Sequence, residues 1–323
     1  MHNSMRAQAL AEGALMASIT AILGLAGLYL PFIKIFTDML WTIPIVIVTA
    51  RHGLQIGGIS LGVAGILIFA LSQPLQAVFL ILQFGALALF YGIAFQKKLK
   101  PTVTLLVGTV IAVISLLLVI ALIMGLFGLD AIDFAKQLQA SIEPTIQLYD
   151  KLGLFNQSGG QTGYTAEYAR DLLASFTNAI TLVIPALLVI WALSTAILNY
   201  LLAQVVLVRL KIEIPVLSPF REWRLPWWII WGFIMGFAVY LVGDHNGLLL
   251  LSQVGANIMM IYVPVLFVLG LSVLSFFIGK YLPSKGARLL ILFMAILFFN
   301  FVFVAVLSVG IFDLVFNYRR LEK

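Results

Sequence analysis

Residues Leu105–Leu129 read LLVGTVIAVISLLLVIALIMGLFGL, without a single charged side chain. At about 1.5 Å per residue this run is longer than the ~30 Å hydrocarbon core of a bilayer. A soluble core could not absorb it without leaving large sticky faces, whereas lipid tails solvate such faces. Leu289–Phe312 is a second run of this kind. Every backbone polar group in a span must be satisfied internally, so only helices or a closed barrel can cross. The runs are continuous rather than alternating, which selects helices.

The rest of the chain repeats the pattern. About 63% of residues are hydrophobic and 10% are charged, and the charges collect between apolar runs. Spans are expected near 8–31, 36–50, 54–72, 75–95, 102–128, 176–208, 225–243, 248–279 and 288–315, an all-α polytopic bundle of eight to nine crossings. Arg6 precedes an apolar stretch running to about Phe32, too long for a signal-peptide core, so it is read as the first span. The chain has no cysteine, which excludes a disulfide framework or a thiol nucleophile. The formal charge of +6 follows the helix ends rather than one face, which fits membrane topology and not nucleic acid.

Charge placement orients the bundle. Arg51, then Lys97, Lys98 and Lys100, then Arg209, Lys211, Arg221 and Arg224, then Lys280, Lys285 and Arg288 fall in alternate connections. The positive-inside rule puts these, and the N-terminus, in the cytoplasm. The acidic 129–175 segment then lies outside. Ile132, Leu138, Ile142 and Ile146 recur there at helical spacing, so an amphipathic surface helix is expected, followed by a turn at 156–163 (NQSGGQTG). It is either a lid or a plain connector. Nine crossings leave Arg319, Arg320 and Lys323 outside, against the rule. Gln253, Gly255 and Asn257 predict a bent or partly re-entrant start to the 248–279 span. Trp223, Trp227, Trp228 and Trp231 read as an interfacial aromatic belt.

Small residues four apart, Ala7 and Ala11, Ala17 and Ala21, Gly53 and Gly57, Gly58 and Gly62, give faces for close helix approach. They serve either packing within the bundle or docking of a membrane-embedded partner. Ionisable groups within spans cost ~2.5–3.5 kcal/mol and call for partners. Glu12 is therefore expected to pair with Arg51. On the opposite side Lys34, Asp38, Trp41, Thr42, Gln76, Gln83, Asn178 and Thr181 form the candidate ligand-binding set for a small polar molecule. Asn199, Asn257 and Asn300 read as interhelical hydrogen-bonding residues. His2, His52 and His245 are scattered, so no metal site or cofactor is expected, and no enzyme constellation is present. Without a Walker A string, ATP-driven work would need a partner chain.

Several ordered strings resemble the YybS family of uncharacterised bacterial membrane proteins. They are Leu10-Ala11-Glu12-Gly13-Ala14, Thr42-Ile43-Pro44, Arg51-His52-Gly53-Leu54, Ile184-Pro185-Ala186-Leu187-Leu188 and Leu198-Asn199-Tyr200-Leu201-Leu202. Farther on come Phe220-Arg221-Glu222-Trp223-Arg224-Leu225-Pro226, Gly270-Leu271-Ser272-Val273, Gly310-Ile311-Phe312-Asp313 and Asn317-Tyr318-Arg319. Leu269 stands where the family often has glutamine. The resemblance covers nearly the whole chain. It implies that the first six spans, 1–208, are similar to the S component of energy-coupling-factor transporters, a six-helix module that binds vitamin-like molecules. Residues 209–323 would add three spans. The function so implied is a binding component for transport, with a non-transporting membrane scaffold or assembly factor as the alternative.

Overall fold

The computed structural model describes residues 2–128, 131–152, 165–281 and 284–320. Among them every regular element is helical. In chain order these are α1 (His2–Tyr29), α2 (Lys34–Leu40), α3 (Ile43–His52), α4 (Leu54–Leu71), α5 (Pro74–Gln96) and α6 (Pro101–Phe127). They continue as α7 (Ala131–Ala140), α8 (Ile142–Lys151), α9 (Ala166–Arg209), α10 (Ile230–His245), α11 (Leu249–Tyr281), α12 (Lys285–Leu297) and α13 (Phe299–Phe316). Eight helical segments are long and apolar enough to cross a membrane, those of α1, α4, α5, α6, α9, α10, α11 and α13. The protein is a multi-pass membrane helical bundle. It divides into two compact units, Met1–Gly128 with Trp191–Leu217, and Leu129–Ile190 with Ser218–Lys323.

In the first unit α1 and α4 pack along each other, and the Tyr29 hydroxyl donates to the Leu71 carbonyl where both helices end. The segment expected as one span at 36–50 is two short helices, α2 and α3, broken at Trp41-Thr42, and it still leads from the Tyr29 end of α1 back to the Glu12 end, where Arg51 and His52 pair. The cause is Pro44, which has no N–H to give and fits only the first turn of a helix, so α3 starts anew there. Ile43–Ala50 are all buried, so α3 is wrapped by protein rather than lipid, which is why it is apolar on every side. Gly53 has φ +85°, a conformation open to glycine, and turns α3 directly into α4. Tyr91 and Tyr200 meet edge to face at 5.8 Å, and the Tyr91 hydroxyl donates to the Ala196 carbonyl at 2.8 Å, fixing α5 against the second half of α9.

In the second unit α10 and α11 form a tight hairpin. Gly236, Gly243 and Gly255 let the two backbones touch. The start of α11 is regular helix from Leu249, so the expected re-entrant start is corrected: the polar residues there turn sideways to another helix. Pro185 inside α9 leaves its ladder incomplete, and the Asn257 side chain closes the gap. Its oxygen accepts from the Ala186 N–H at 2.8 Å and its amide donates to the Leu182 carbonyl at 2.8 Å. Asn300, by contrast, is exposed. The 129–175 segment supplies two short helices, α7 and α8, where one was expected. Ile146 is buried, and Glu143 is paired to Arg170 on α9 at 3.0 Å. The turn expected at 156–163 lies outside the described residues.

The span expected at 288–315 is also divided, at Phe298, where φ −107° and ψ 37° interrupt the helix. No proline or glycine marks that break. Arg319 donates to the carbonyls of Arg221 and Trp223, so the end of α13 meets the 218–224 connection instead of the opposite end of the unit.

Candidate functional site

The candidate residues do not gather into one polar pocket. Lys34 and Asp38, one turn apart on α2, satisfy each other at 2.8 Å. Gln76 on α5 is exposed and donates to Gln73 at 3.4 Å, while Gln83 is half-buried. Asn178 accepts from Gln139 at 3.3 Å, and the Thr181 hydroxyl donates to the Thr177 carbonyl at 2.9 Å. These last two belong to the second unit and the other six to the first.

Trp41 and Thr42 are different. The break before Pro44 turns both inward, and both are essentially inaccessible. The Trp41 ring meets Phe84 edge to face at 6.0 Å. Thr42 donates its hydroxyl proton to the Asn199 side-chain oxygen at 2.5 Å, and the Asn199 amide donates to the Thr195 carbonyl. That ties the α2–α3 turn to α9. The indole N–H of Trp41 has no acceptor, and neither does the buried Thr20 hydroxyl on α1 find a partner. An indole nitrogen can only donate. A buried donor left unmade costs about 1–3 kcal/mol.

At the other end of α1, Glu12 accepts a hydrogen bond from Arg51, and its second oxygen lies 2.7 Å from His52 Nε2. The turn at Gly53 delivers both partners, so the three side chains join α1 to the α3–α4 corner. His52 had no assigned partner in the sequence reading. Glu12→Gln is expected to lower unfolding stability by about 1.5–3 kcal/mol, the scale of hydrogen bonds to a charged group. Arg51→Gln should then cost less in that background than alone. Fully additive losses in a double-mutant cycle read by unfolding in detergent would show that the pair is not coupled.

The small residues on α1 divide in two. Ala17 and Ala21 are buried within their own unit and so present no face to a partner, whereas Ala7 and Ala11 are exposed.

A family model described as a predicted membrane protein (DUF2232) matches residues 18–314. The chain belongs to this family. A DUF2232 match over almost the entire length means that both compact units, and not one of them alone, carry the family pattern. The chain is similar to the uncharacterized protein YybS of Bacillus subtilis (strain 168), at 25% identity over 327 residues. The match spans 98% of this chain and 99% of that protein. No solved structure matches.

The residues that sequence reasoning missed lie in the second unit. The Arg319 guanidinium is fully enclosed and directs all its donors at named acceptors. Asp313 Oδ2 takes two at 2.8 and 3.1 Å, the Arg221 and Trp223 carbonyls take one each, and Ser272 Oγ takes another at 2.8 Å. The signal was present: Asp313 is the one acid in a long apolar run, and such a group needs a partner.

Proposed function

We propose that this DUF2232 protein is a non-enzymatic, small-molecule-binding component of membrane transport that draws its energy from a partner chain. The observation that carries the reading is the buried, unpartnered indole N–H of Trp41, beside the Thr42–Asn199 bond. A molecule with a carbonyl or ring-nitrogen acceptor would complete that donor. The first six spans, 1–208, form the S-component-like module in this reading, with Lys34, Asp38, Gln76 and Gln83 nearer its rim and 209–323 as an addition. The basic connections and the N-terminus face the cytoplasm of a bacterial cell, and the tail, held at the 218–224 connection, shares that side.

The test is native mass spectrometry of the tagged chain after mild detergent extraction from its own membrane. Wild type is expected to retain a small molecule that Trp41→Phe loses by at least about tenfold, as removal of one buried hydrogen bond of ~1.4 kcal/mol implies. Yield should not change, because the ring and its contact with Phe84 are kept. An empty wild-type chain, or equal retention by Trp41→Phe, overturns the reading. The exposed Ala7–Ala11 face favours a second reading, a scaffold or assembly factor. A chain that is empty yet bound to other membrane proteins would support that one instead.

A further inference from the structure

Helices α5 and α9 of the first unit end in the same kind of turn. At α5 the Leu99 N–H donates to the Ala94 carbonyl at 2.9 Å and the Lys98 N–H to the Phe95 carbonyl at 3.1 Å. At α9 the Ile212 N–H donates to the Leu207 carbonyl and the Lys211 N–H to the Val208 carbonyl, both at 3.0 Å. Each turn puts one residue in the left-handed region, a position glycine usually takes. Both times it is a lysine, Lys98 at φ +52° and Lys211 at φ +59°. A cation kept where the backbone suits glycine points to a use for the charge. Capping is not that use, because the turns' own N–H groups take those carbonyls.

The two ends also meet. Lys98 Nζ lies 3.0 Å from Glu213 Oε2, and the chain after α9 is held back against it by the Leu217 N–H, which donates to Gln204 Oε1. Lys97, Lys100, Arg209 and Lys211 flank that bridge in sequence, all exposed. The first unit contains three acids, and each is already used: Glu12 by Arg51 and His52, Asp38 by Lys34, Glu213 by Lys98. Among the described residues these four cations therefore have no acidic partner. Exposed Leu99, Val103, Val208 and Leu210 are interleaved with them, and the apolar spans Pro74–Gln96 and Pro101–Phe127 adjoin the lysines directly. That places the charges at headgroup depth with lipid-facing side chains beside them.

We propose that the α5–α6 corner and the end of α9 form one binding site for an anionic phospholipid, its phosphate held by Lys97, Lys100, Arg209 and Lys211 and its acyl chains on the neighbouring leucines and valines. Charge-assisted bonds from ammonium and guanidinium groups to phosphate oxygens supply the recognition. A zwitterionic lipid has the phosphate but no net charge to set against the cations. The interleaved apolar side chains select a lipid over an acidic protein segment, which would match the charge alone. The proposal is independent of any ligand at Trp41.

The full-length chain, stripped of lipid in detergent, would be offered equimolar phosphatidylglycerol and phosphatidylcholine with the same acyl chains, and the first lipid retained would be identified by native mass spectrometry. Wild type is expected to prefer phosphatidylglycerol by roughly tenfold, the scale for two cations engaging one headgroup. Lys97→Gln with Lys100→Gln, and separately Arg209→Gln with Lys211→Gln, should each remove most of that preference. Lys151→Gln with Lys280→Gln takes as many charges from the second unit and should leave it intact. If the α9 pair does not survive extraction, Arg209→Gln with Lys211→Gly removes the same charge with the residue that the turn favours. Glycerol phosphate, which lacks acyl chains, should not displace the lipid. Equal retention of the two lipids by wild type, an equal loss in the second-unit control, or displacement by glycerol phosphate overturns the proposal. So does an acidic protein that copurifies on these cations and excludes lipid.

Discussion

Arg319→Met is expected to destabilise the second unit by about 3–5 kcal/mol, the scale for removing one member of a buried ion pair. The substitution strips five donated hydrogen bonds at once and leaves the Asp313 carboxylate enclosed without its counter-charge. It also leaves the Arg221 and Trp223 carbonyls short of a donor. Asp313 is the more exacting partner, because its Oδ1 already has no donor and the whole pairing runs through Oδ2. The companion variant separates charge from packing. Arg319→Met with Asp313→Leu removes both charges and keeps apolar volume, and it should recover much of the loss. Chemical unfolding in detergent reads both. If Arg319→Met unfolds like wild type, the tail is not anchored. If the double variant is worse than the single, the acid has another use.

How far the fold was legible follows from which force set each feature. Apolar runs and charge at their ends depend on local sequence, so the membrane bundle and the helices from α4 to α6 were readable directly. The departures were at 36–50 and 288–315, where one continuous helix was expected: the first is broken at Trp41-Thr42 yet still runs from one end of α1 to the other, and in the second α13 is the part long enough to cross. Pro44 was visible and sufficient to break the first. The break at Phe298 has no proline or glycine to announce it, so the sequence did not display it. Of the candidate ligand set, Lys34 and Asp38 are paired with each other, a four-residue spacing that the sequence already displayed. The inward turn of Trp41 and Thr42 was not readable, since it needs Asn199, 157 residues away, to hold it.

The other large effect concerns the helix that carries Asp313. At Gly270 the α11 backbone lies so close to α13 that a Cβ would overlap the Val306 carbonyl oxygen. At Gly310 a Cβ would meet the Leu266 carbonyl oxygen, and the Gly270 nitrogen at 2.9 Å. The obstacles are backbone atoms, which cannot rotate aside as a side-chain tip can. Packing between membrane helices has no hydrophobic drive to fall back on, so the close approach itself supplies much of the association. Gly270→Val is therefore expected to cost more than the ~1–3 kcal/mol usual for overpacking and to abolish recovery of monodisperse protein. Gly279→Val, in the same helix but facing open space, is the control and should leave yield unchanged. Displacing α13 also carries Asp313 and Arg319 away from Ser272 and the 220–223 carbonyls, so the two lesions share one mechanism. Adding Arg319→Met to a milder Gly270→Ala should then cost clearly less than the sum of the two singles. A strictly additive pair would mean that the glycine contact and the buried arginine hold α13 independently, and a Gly270→Val protein with wild-type recovery would mean that the close approach is not a determinant of the fold.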